Sequence, residues 1–266
     1  MAIQGGNGKI GFREDFAGIG AAATISDATA GTRWNDITLI AISGDVAMTH
    51  LVTESGGIAQ FSGAAGAADG IVLTSSPMRP STNGTLVVGG RFKASAVTDY
   101  RAFLGFQETV SLSETVNPFT LSGTTLTDND GGEAVGFYYD TAATVDDFRF
   151  LSSSAGVADT SAALSFGLNG ETTLGALGVR ANTTLAADSW MMFRVELDND
   201  GACRGYLGTA GMAKQNGLTL VASIKAGALS PTAFYHPIMH LLESSTGDPL
   251  HSVDFFFAEG NRSWAA

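Results

Sequence analysis

Glu196 and Asp198 are the residues whose type and spacing best match a catalytic carboxylate pair. Residues two apart on a strand share one face, and glycoside hydrolases place two carboxyl groups on either side of the bond that they cleave. A second glutamate further along the same strand would complete such a motif. Asn199, Asp200 and Gly201 instead predict a reversal of the chain. The pattern therefore indicates a charged strand face that ends in a turn, and we expect no enzymatic activity.

The segment Asp-Asn-Asp-Gly occurs at Asp128 and again at Asp198, and alternating carboxylates of this kind form half of a calcium loop. Neither copy supplies the remaining ligands, although Glu133 follows the first, so both are interpreted as Asx turns. His236 and His240 share one strand face, but their spacing separates the rings by more than about 10 Å along a strand. We expect packed or interface histidines, and we predict no metal and no other cofactor.

Trp34 and Trp190 are the candidate carbohydrate-binding residues, because an indole ring can stack on the apolar face of a sugar. The alternative interpretation is that Trp190 anchors a hairpin and that Trp264 docks the C-terminal end of the chain. Large aromatic side chains most often serve cores and interfaces, so the sequence favours this second interpretation.

The composition indicates a packed all-β protein. Charged residues make up 15% of the 266 residues and hydrophobic residues 44%, which is enough to bury a large core. The chain has 34 glycines and many Asn-Gly and Asp-Gly pairs, which are typical of tight hairpins. We predict an N-terminal arm over residues 1–20 and a single domain over residues 21–266, built as an antiparallel β-sandwich.

Alternation of apolar and polar residues positions the strands. Met191, Phe193, Val195 and Leu197 predict one apolar face of a strand, with charged residues between them. The predicted strands cover residues 46–52, 57–61, 71–74, 85–94, 100–107, 134–139, 148–151, 162–168, 190–197, 202–207, 218–224, 234–242 and 252–258. Several of them are apolar on both faces, which suits the centre of a sandwich or a surface that another chain covers.

The charge and the termini exclude some classes of partner. A net charge of −12 repels phosphate backbones and anionic headgroups, so nucleic acid is not an expected partner. We find no apolar export signal and no run of about 18 apolar residues, so we expect no membrane partner. Cys203 is the single cysteine and is predicted to be a small core residue.

Six segments carry a resemblance to a known family. They are, in chain order, FREDFAG, GGRFKAS, YRAFLGFQET, AVGFYYD, DSWMMFRVELDNDGACRGYLG and VDFFFAEG. Together they resemble the concanavalin A-like (LamG-like) lectin and glucanase jelly-roll modules of tailed-bacteriophage virion proteins, over most of the chain. The segment from Trp190 to Gly208 is similar to a recurring core hairpin of those modules. The resemblance implies two curved sheets of about six or seven strands each, with the first and last strands adjacent.

The fold by itself leaves the role open, because one fold can host lectins, glycosidases and structural modules. Three features indicate a role: the resemblance, the absence of a catalytic constellation, and the net negative charge, which disfavours a surface that lines a packaged genome. We expect a non-enzymatic virion structural protein, an outer capsid decoration protein that binds the major capsid protein or other virion proteins on the outer surface of the capsid. We expect a homo-oligomer such as a trimer, with the arm over residues 1–20 contacting a neighbour. The alternative is a carbohydrate-binding module of a tail fibre or adhesin.

Overall fold

The computed structural model describes residues 9–16, 22–26, 31–42, 44–51, 57–63, 70–108, 110, 117–122, 125–128, 132–143, 146–154, 157–158, 179–180, 184–209, 217–243 and 250–261. The strands are β1 (Lys9–Glu14), β2 (Ala23–Ile25), β3 (Thr32–Trp34), β4 (Ile37–Ile42), β5 (Val46–His50), β6 (Ala59–Ser62), β7 (Gly70–Thr74), β8 (Leu86–Ala94), β9 (Tyr100–Gln107), β10 (Phe119–Ser122), β11 (Thr125–Asp128), β12 (Ala134–Asp140), β13 (Arg149–Ser154), β14 (Val157–Ala158), β15 (Val179–Arg180), β16 (Met191–Leu197), β17 (Cys203–Thr209), β18 (Thr219–Ile224), β19 (His236–Glu243) and β20 (His251–Asn261). A short helix, α1, covers Pro80–Asn83. No helix of the described residues is long and apolar enough to cross a membrane.

The strands of the described residues form two nine-stranded antiparallel sheets and one separate hairpin. Sheet 1 has the order β18-β17-β16-β8-β20-β6-β5-β2, with β1 paired to β20 beside β6. Sheet 2 has the order β14-β13-β12-β9-β19-β7-β4-β3, with β15 paired to β13, and β10 pairs with β11. The predicted antiparallel sandwich is therefore confirmed, and so is the pairing of the first strand with the last. The sheets are larger than the six or seven strands that the resemblance implied, because short strands extend their edges.

The main core lies between the two sheets. On β16, Met191, Phe193, Val195 and Leu197 point into this core, as their alternation predicts. A second apolar cluster lies on the outer face of sheet 2 and contains Phe103, Phe119, Tyr138 and Val72, among others. Both faces of sheet 2 are therefore buried in part, which explains why strands such as β9 and β12 are apolar throughout.

Some predicted elements differ from the structure. β4 was not predicted, because its sequence ITLIAI is almost continuously apolar and lacks alternation. Residues 9–14 of the predicted arm form β1, which is a strand of sheet 1, while residues 1–8 lie outside the described part of the chain. The predicted strand over residues 162–168 and Trp264 also lie outside the described residues.

A β-bulge changes which side chains of β20 face the core. His251, Ser252 and Val253 pair with β8 in regular register, and the register then shifts between Val253 and Phe255. Val253 faces the core before the shift, and Phe256 and Ala258 face it afterwards. Asp254 is therefore the extra residue, and it directs the next alternate side chains to the outer face of sheet 1.

Candidate functional site

The predicted carboxylate pair lies on the outer face of sheet 1 within a network of ion pairs. Glu196 Oε1 lies 2.5 Å from Arg194, and Glu196 Oε2 lies 2.8 Å from Arg204 Nε. Tyr206 also donates its hydroxyl to Glu196 Oε2 at 3.2 Å, and Arg204 lies 2.8 Å from Asp198 Oδ2. These partners occupy both carboxylates, so the pair connects β16 to β17 instead of facing an open groove.

The turn that follows this pair has the predicted form. Gly201 has φ +79°, and its backbone N–H donates to the carbonyl of Asp198 at 3.0 Å. Asp200 Oδ1 accepts the N–H of Ala202 at 3.0 Å, which is an Asx turn. Asp198 and Asp200 therefore stabilise the turn of this hairpin through the backbone of Gly201 and Ala202.

The first Asp-Asn-Asp-Gly segment is described only in part, since the side chain of Asp128 lies outside the described residues. Glu133, which follows it, accepts the hydroxyl of Tyr235 and, at 2.7 Å, the backbone N–H of Ser230. Its other oxygen accepts the hydroxyl of Ser154 at 3.3 Å. Glu133 therefore connects β12, β13 and the chain before β19.

Asp140 is the most deeply buried carboxylate of sheet 2, with its side chain 1% exposed. It accepts the Tyr138 hydroxyl at 2.5 Å and the Ala142 N–H at 2.8 Å, and Arg101 Nε lies 3.1 Å away. Within the described residues, no group of three His, Cys, Asp or Glu side chains is arranged to hold a metal ion.

The two candidate tryptophans lie in different sheets. Trp34 is on β3 at the edge of sheet 2, half-buried against the main core, and its buried Nε1 has no hydrogen-bond partner among the described residues. Trp190 precedes β16 and is 9% exposed. Arg91 and Lys93 lie 4.4 and 4.9 Å from its ring. The structure does not bring the two rings together, and cations cover the ring of Trp190.

Two other aromatic rings lie on the outer face of sheet 1. The bulge turns Phe255 and Phe257 outward, and their ring centroids lie 6.2 Å apart with an interplanar angle of 34°. A Cβ atom on Gly89 would lie 2.6 Å from Phe257 Cε1, so the ring of Phe257 lies directly on the glycine backbone of β8. The two rings thus form a low, half-buried aromatic platform.

A cavity of about 370 Å³ lies against this platform, and we name it the outer groove. Its lining residues are Gly11, Phe12, Arg13, Phe255, Phe257, Ala258 and Glu259. The Arg13 guanidinium carbon lies 5.9 Å from the centroid of the Phe255 ring. Neither Arg13 nor the half-buried Glu259 forms an ion pair or a side-chain hydrogen bond with another described residue. Within the described part of the chain, one donor group and one acceptor group without a side-chain partner therefore flank the rings.

Sequence reasoning did not identify Arg13, Phe255, Phe257 or Glu259. The segment VDFFFAEG contains a signal, because three consecutive phenylalanines cannot all face the core of a regular strand. Such a run predicts an exposed aromatic residue or a bulge, and the structure has both. The resemblance implied that the first and last strands are adjacent, but residues 9–14 were assigned to the predicted arm, so Arg13 was not placed beside β20.

Of the two predicted histidines on β19, His240 is packed as predicted, whereas His236 is half-buried, with its Nδ1 3.3 Å from the Ser75 carbonyl oxygen. His240 is 1% exposed on the outer face of β19, and neither ring nitrogen has a hydrogen-bond partner among the described residues. Burial lowers the pKa of His240 to about 3, with smaller contributions from His251 and Arg101. Burial likewise lowers the pKa of His251 to about 4, and its Nδ1 lies 3.3 Å from the Tyr100 hydroxyl.

Comparisons with known proteins identify the fold. No family model matches the chain, and no curated protein matches it. A solved protein of unknown function from Shewanella oneidensis MR-1 is 14% identical, with a TM-score of 0.54 over 100% of this chain and 91% of that chain. Peanut lectin, solved with a nine-residue peptide, is 13% identical, with a TM-score of 0.52 over 95% and 97% of the two chains. The Lotus tetragonolobus seed lectin is 10% identical, with a TM-score of 0.52 over 91% and 99%.

At these identities the likeness concerns the fold alone. The chain has the concanavalin A-like lectin fold, in which two antiparallel sheets pack face to face. Because one fold supports many functions, the function has to be argued from the site.

Proposed function

We propose that this protein is a non-enzymatic carbohydrate-binding module and that the outer groove is its sugar-binding site. The observation that carries the proposal is the platform of Phe255 and Phe257, flanked by Arg13 and Glu259, which have no ion pair or side-chain hydrogen bond with another described residue. Aromatic faces offer a surface for the apolar face of a pyranose ring. Arginine donates and glutamate accepts hydrogen bonds, which matches the mixed donor and acceptor character of sugar hydroxyls.

The arrangement of charges supports binding in preference to hydrolysis. Glycoside hydrolysis uses two carboxyl groups roughly 5 to 10 Å apart across the sugar. Among the lining residues that the structure describes, Glu259 is the single carboxylate of the outer groove. Glu196 and Asp198 lie on the same face, but arginines hold them. The groove can therefore orient a sugar, whereas it offers no acid and base pair.

The test is the substitution Phe257→Ala, compared with Phe234→Ala. Phe234 is 51% exposed and lies outside the outer groove, so it is a matched control for the loss of a solvent-accessible ring. Wild-type protein should bind at least one polysaccharide on a glycan array. In titration calorimetry Phe257→Ala should weaken that binding by tenfold or more, while Phe234→Ala should not change it. A silent array, or equal binding by both variants, would refute the proposal.

A second proposal is the virion role, in which the chain is an outer capsid decoration protein that assembles as a homo-oligomer. One observation favours it: Leu220 is 43% exposed on β18, which ends the strand order of sheet 1 among the described residues. Unpaired sheet edges with apolar side chains can pair with another chain. Light scattering should then show an oligomer that Leu220→Asp dissociates, and the protein should co-sediment with capsids. A monomer that does not bind capsids would exclude this role.

A further inference from the structure

We infer that the outer groove continues across sheet 1 and binds a neutral oligosaccharide of several residues, in preference to a single sugar. This inference rests on the proposed function and adds the ligand class. A second cavity of about 220 Å³ adjoins the first and shares Glu259 with it. Its lining residues are Thr85, Val87, Arg194, Glu259, Gly260 and Asn261. Glu259 therefore stands between two subsites.

The strand registers show how the two cavities are connected. One row across the sheet contains Gly11, Glu259 and Val87 on β1, β20 and β8. Gly11 and Val87 have short side chains, so the longer side chain of Glu259 projects above its neighbour on each side. The resulting trough runs across the strands instead of along them.

A second row, two residues further along β20, contains Arg13, Phe257, Gly89 and Arg194 on β1, β20, β8 and β16. An arginine thus lies at each end, and the Phe257 ring lies over Gly89 between them. Three inter-strand spacings of about 4.8 Å separate the end strands by roughly 14 Å. The two guanidinium groups are also displaced in opposite directions along β20: Arg13 lies against Phe255, whereas Arg194 is paired with Glu196 in the row of Glu259. A ligand that contacts both therefore has to be longer than one pyranose ring.

The charges along the trough favour a neutral chain. Arg194 is already paired with Glu196 at 2.5 Å, so its charge is compensated. The two remaining charged groups, Arg13 and Glu259, have opposite signs. An anionic saccharide would gain attraction at Arg13 and meet repulsion at Glu259, whereas neutral hydroxyls can satisfy both groups.

The test measures affinity against chain length. The probes are β-1,4-linked and β-1,3-linked gluco-oligosaccharides and N-acetylglucosamine oligomers of one to six residues, with oligogalacturonates as the anionic series. We expect at least a tenfold gain in affinity from one residue to four in one neutral series, and weaker binding of the anionic series. Arg194→Met should remove most of the gain with length. Arg204→Met, which also removes an arginine from Glu196 but lines neither cavity, should preserve it.

The outcomes separate this inference from the proposed function. Binding that Phe257→Ala abolishes but that does not depend on chain length would overturn the inference alone. Stronger binding of the anionic series, or equal effects of Arg194→Met and Arg204→Met, would do the same. No binding of any probe at millimolar concentration would overturn the proposed function, and this inference with it.

Discussion

Arg91 lies between Asp254 and Trp190: its guanidinium is 2.8 Å from Asp254 Oδ2 and 4.4 Å from the Trp190 ring. Asp254 is the extra residue of the bulge in β20, so this contact ties the bulge to β8 and to the start of β16. Trp190 thus affects the outer groove indirectly, because its ring packs against Arg91, and Arg91 forms the ion pair with Asp254 of the bulge. The bulge in turn directs Phe255 and Phe257 outward.

The first prediction concerns this support. Arg91→Met should lower the free energy of unfolding by about 1 kcal/mol, because it removes a partly buried ion pair and a cation–π contact together. Lys93→Met, which leaves the Arg91–Asp254 pair intact, should cost less. Urea denaturation measures both variants, and a double-mutant cycle of Arg91→Met with Asp254→Asn gives the coupling energy. A larger effect of Lys93→Met, or no coupling, would contradict the role of Arg91.

The second prediction concerns Gly89. A Cβ atom there would lie 2.6 Å from Phe257 Cε1 and 2.9 Å from the Phe193 carbonyl oxygen. Gly89→Ala should therefore displace the Phe257 ring, cost about 1 to 3 kcal/mol, and weaken sugar binding. In the Phe257→Ala background the same change should cost less, because the ring is gone. Thermal unfolding of the four proteins measures this difference, and additive losses would show that the ring does not lie on Gly89.

The third prediction compares two glutamates of the same sheet face. Glu196 has three side-chain partners, in Arg194, Arg204 and Tyr206, whereas Glu259 has none among the described residues. Glu196→Gln should cost about 1 kcal/mol of stability and leave sugar binding unchanged, since it weakens charged hydrogen bonds.

Glu259→Gln should change the free energy of unfolding by less than about 0.5 kcal/mol and should weaken sugar binding. Chemical denaturation and titration calorimetry measure the two effects on the same preparations. If the stability loss fell on Glu259→Gln instead, the assignment of Glu259 as the hydrogen-bond acceptor of the outer groove would be wrong.

The strands of the sandwich could be predicted where local pattern determines them. The alternation from Met191 to Leu197 and the turn at Gly201 are local, and both are confirmed. The outer groove depends on contacts between distant parts of the chain. Arg13 reaches Phe255 through the pairing of β1 with β20, and the face change of β20 depends on one inserted residue. A one-residue change of register moves every later side chain of the strand to the opposite face of the sheet. The alternation of apolar and polar residues does not show where such a bulge lies.

The free energy of unfolding should depend on pH because two histidines, His240 and His251, are buried. His240 and His251 have pKa values lowered by burial to about 3 and 4, below the value of about 6.5 for an exposed histidine. The unfolded chain therefore binds protons at a higher pH than the folded chain does. Each histidine leaves stability unaffected above about pH 6.5 and lowers it as the pH falls towards the folded pKa.

The fourth prediction uses this difference with the pair His240→Leu and His251→Leu. Each substitution removes one histidine that binds a proton on unfolding. Each should therefore reduce the loss of stability between about pH 6.5 and pH 4, by up to about 1.4 kcal/mol per pH unit.

At pH 7 the two variants should differ in their free energy of unfolding. His240→Leu replaces two buried ring nitrogens that have no hydrogen-bond partner in the described part of the chain, beside Phe103 and Val72, so the free energy of unfolding should be unchanged or higher. His251→Leu loses the contact with the Tyr100 hydroxyl and should lower the free energy of unfolding. Urea denaturation at several pH values measures both, and an unchanged pH dependence in both variants would show that these histidines are not the groups that titrate.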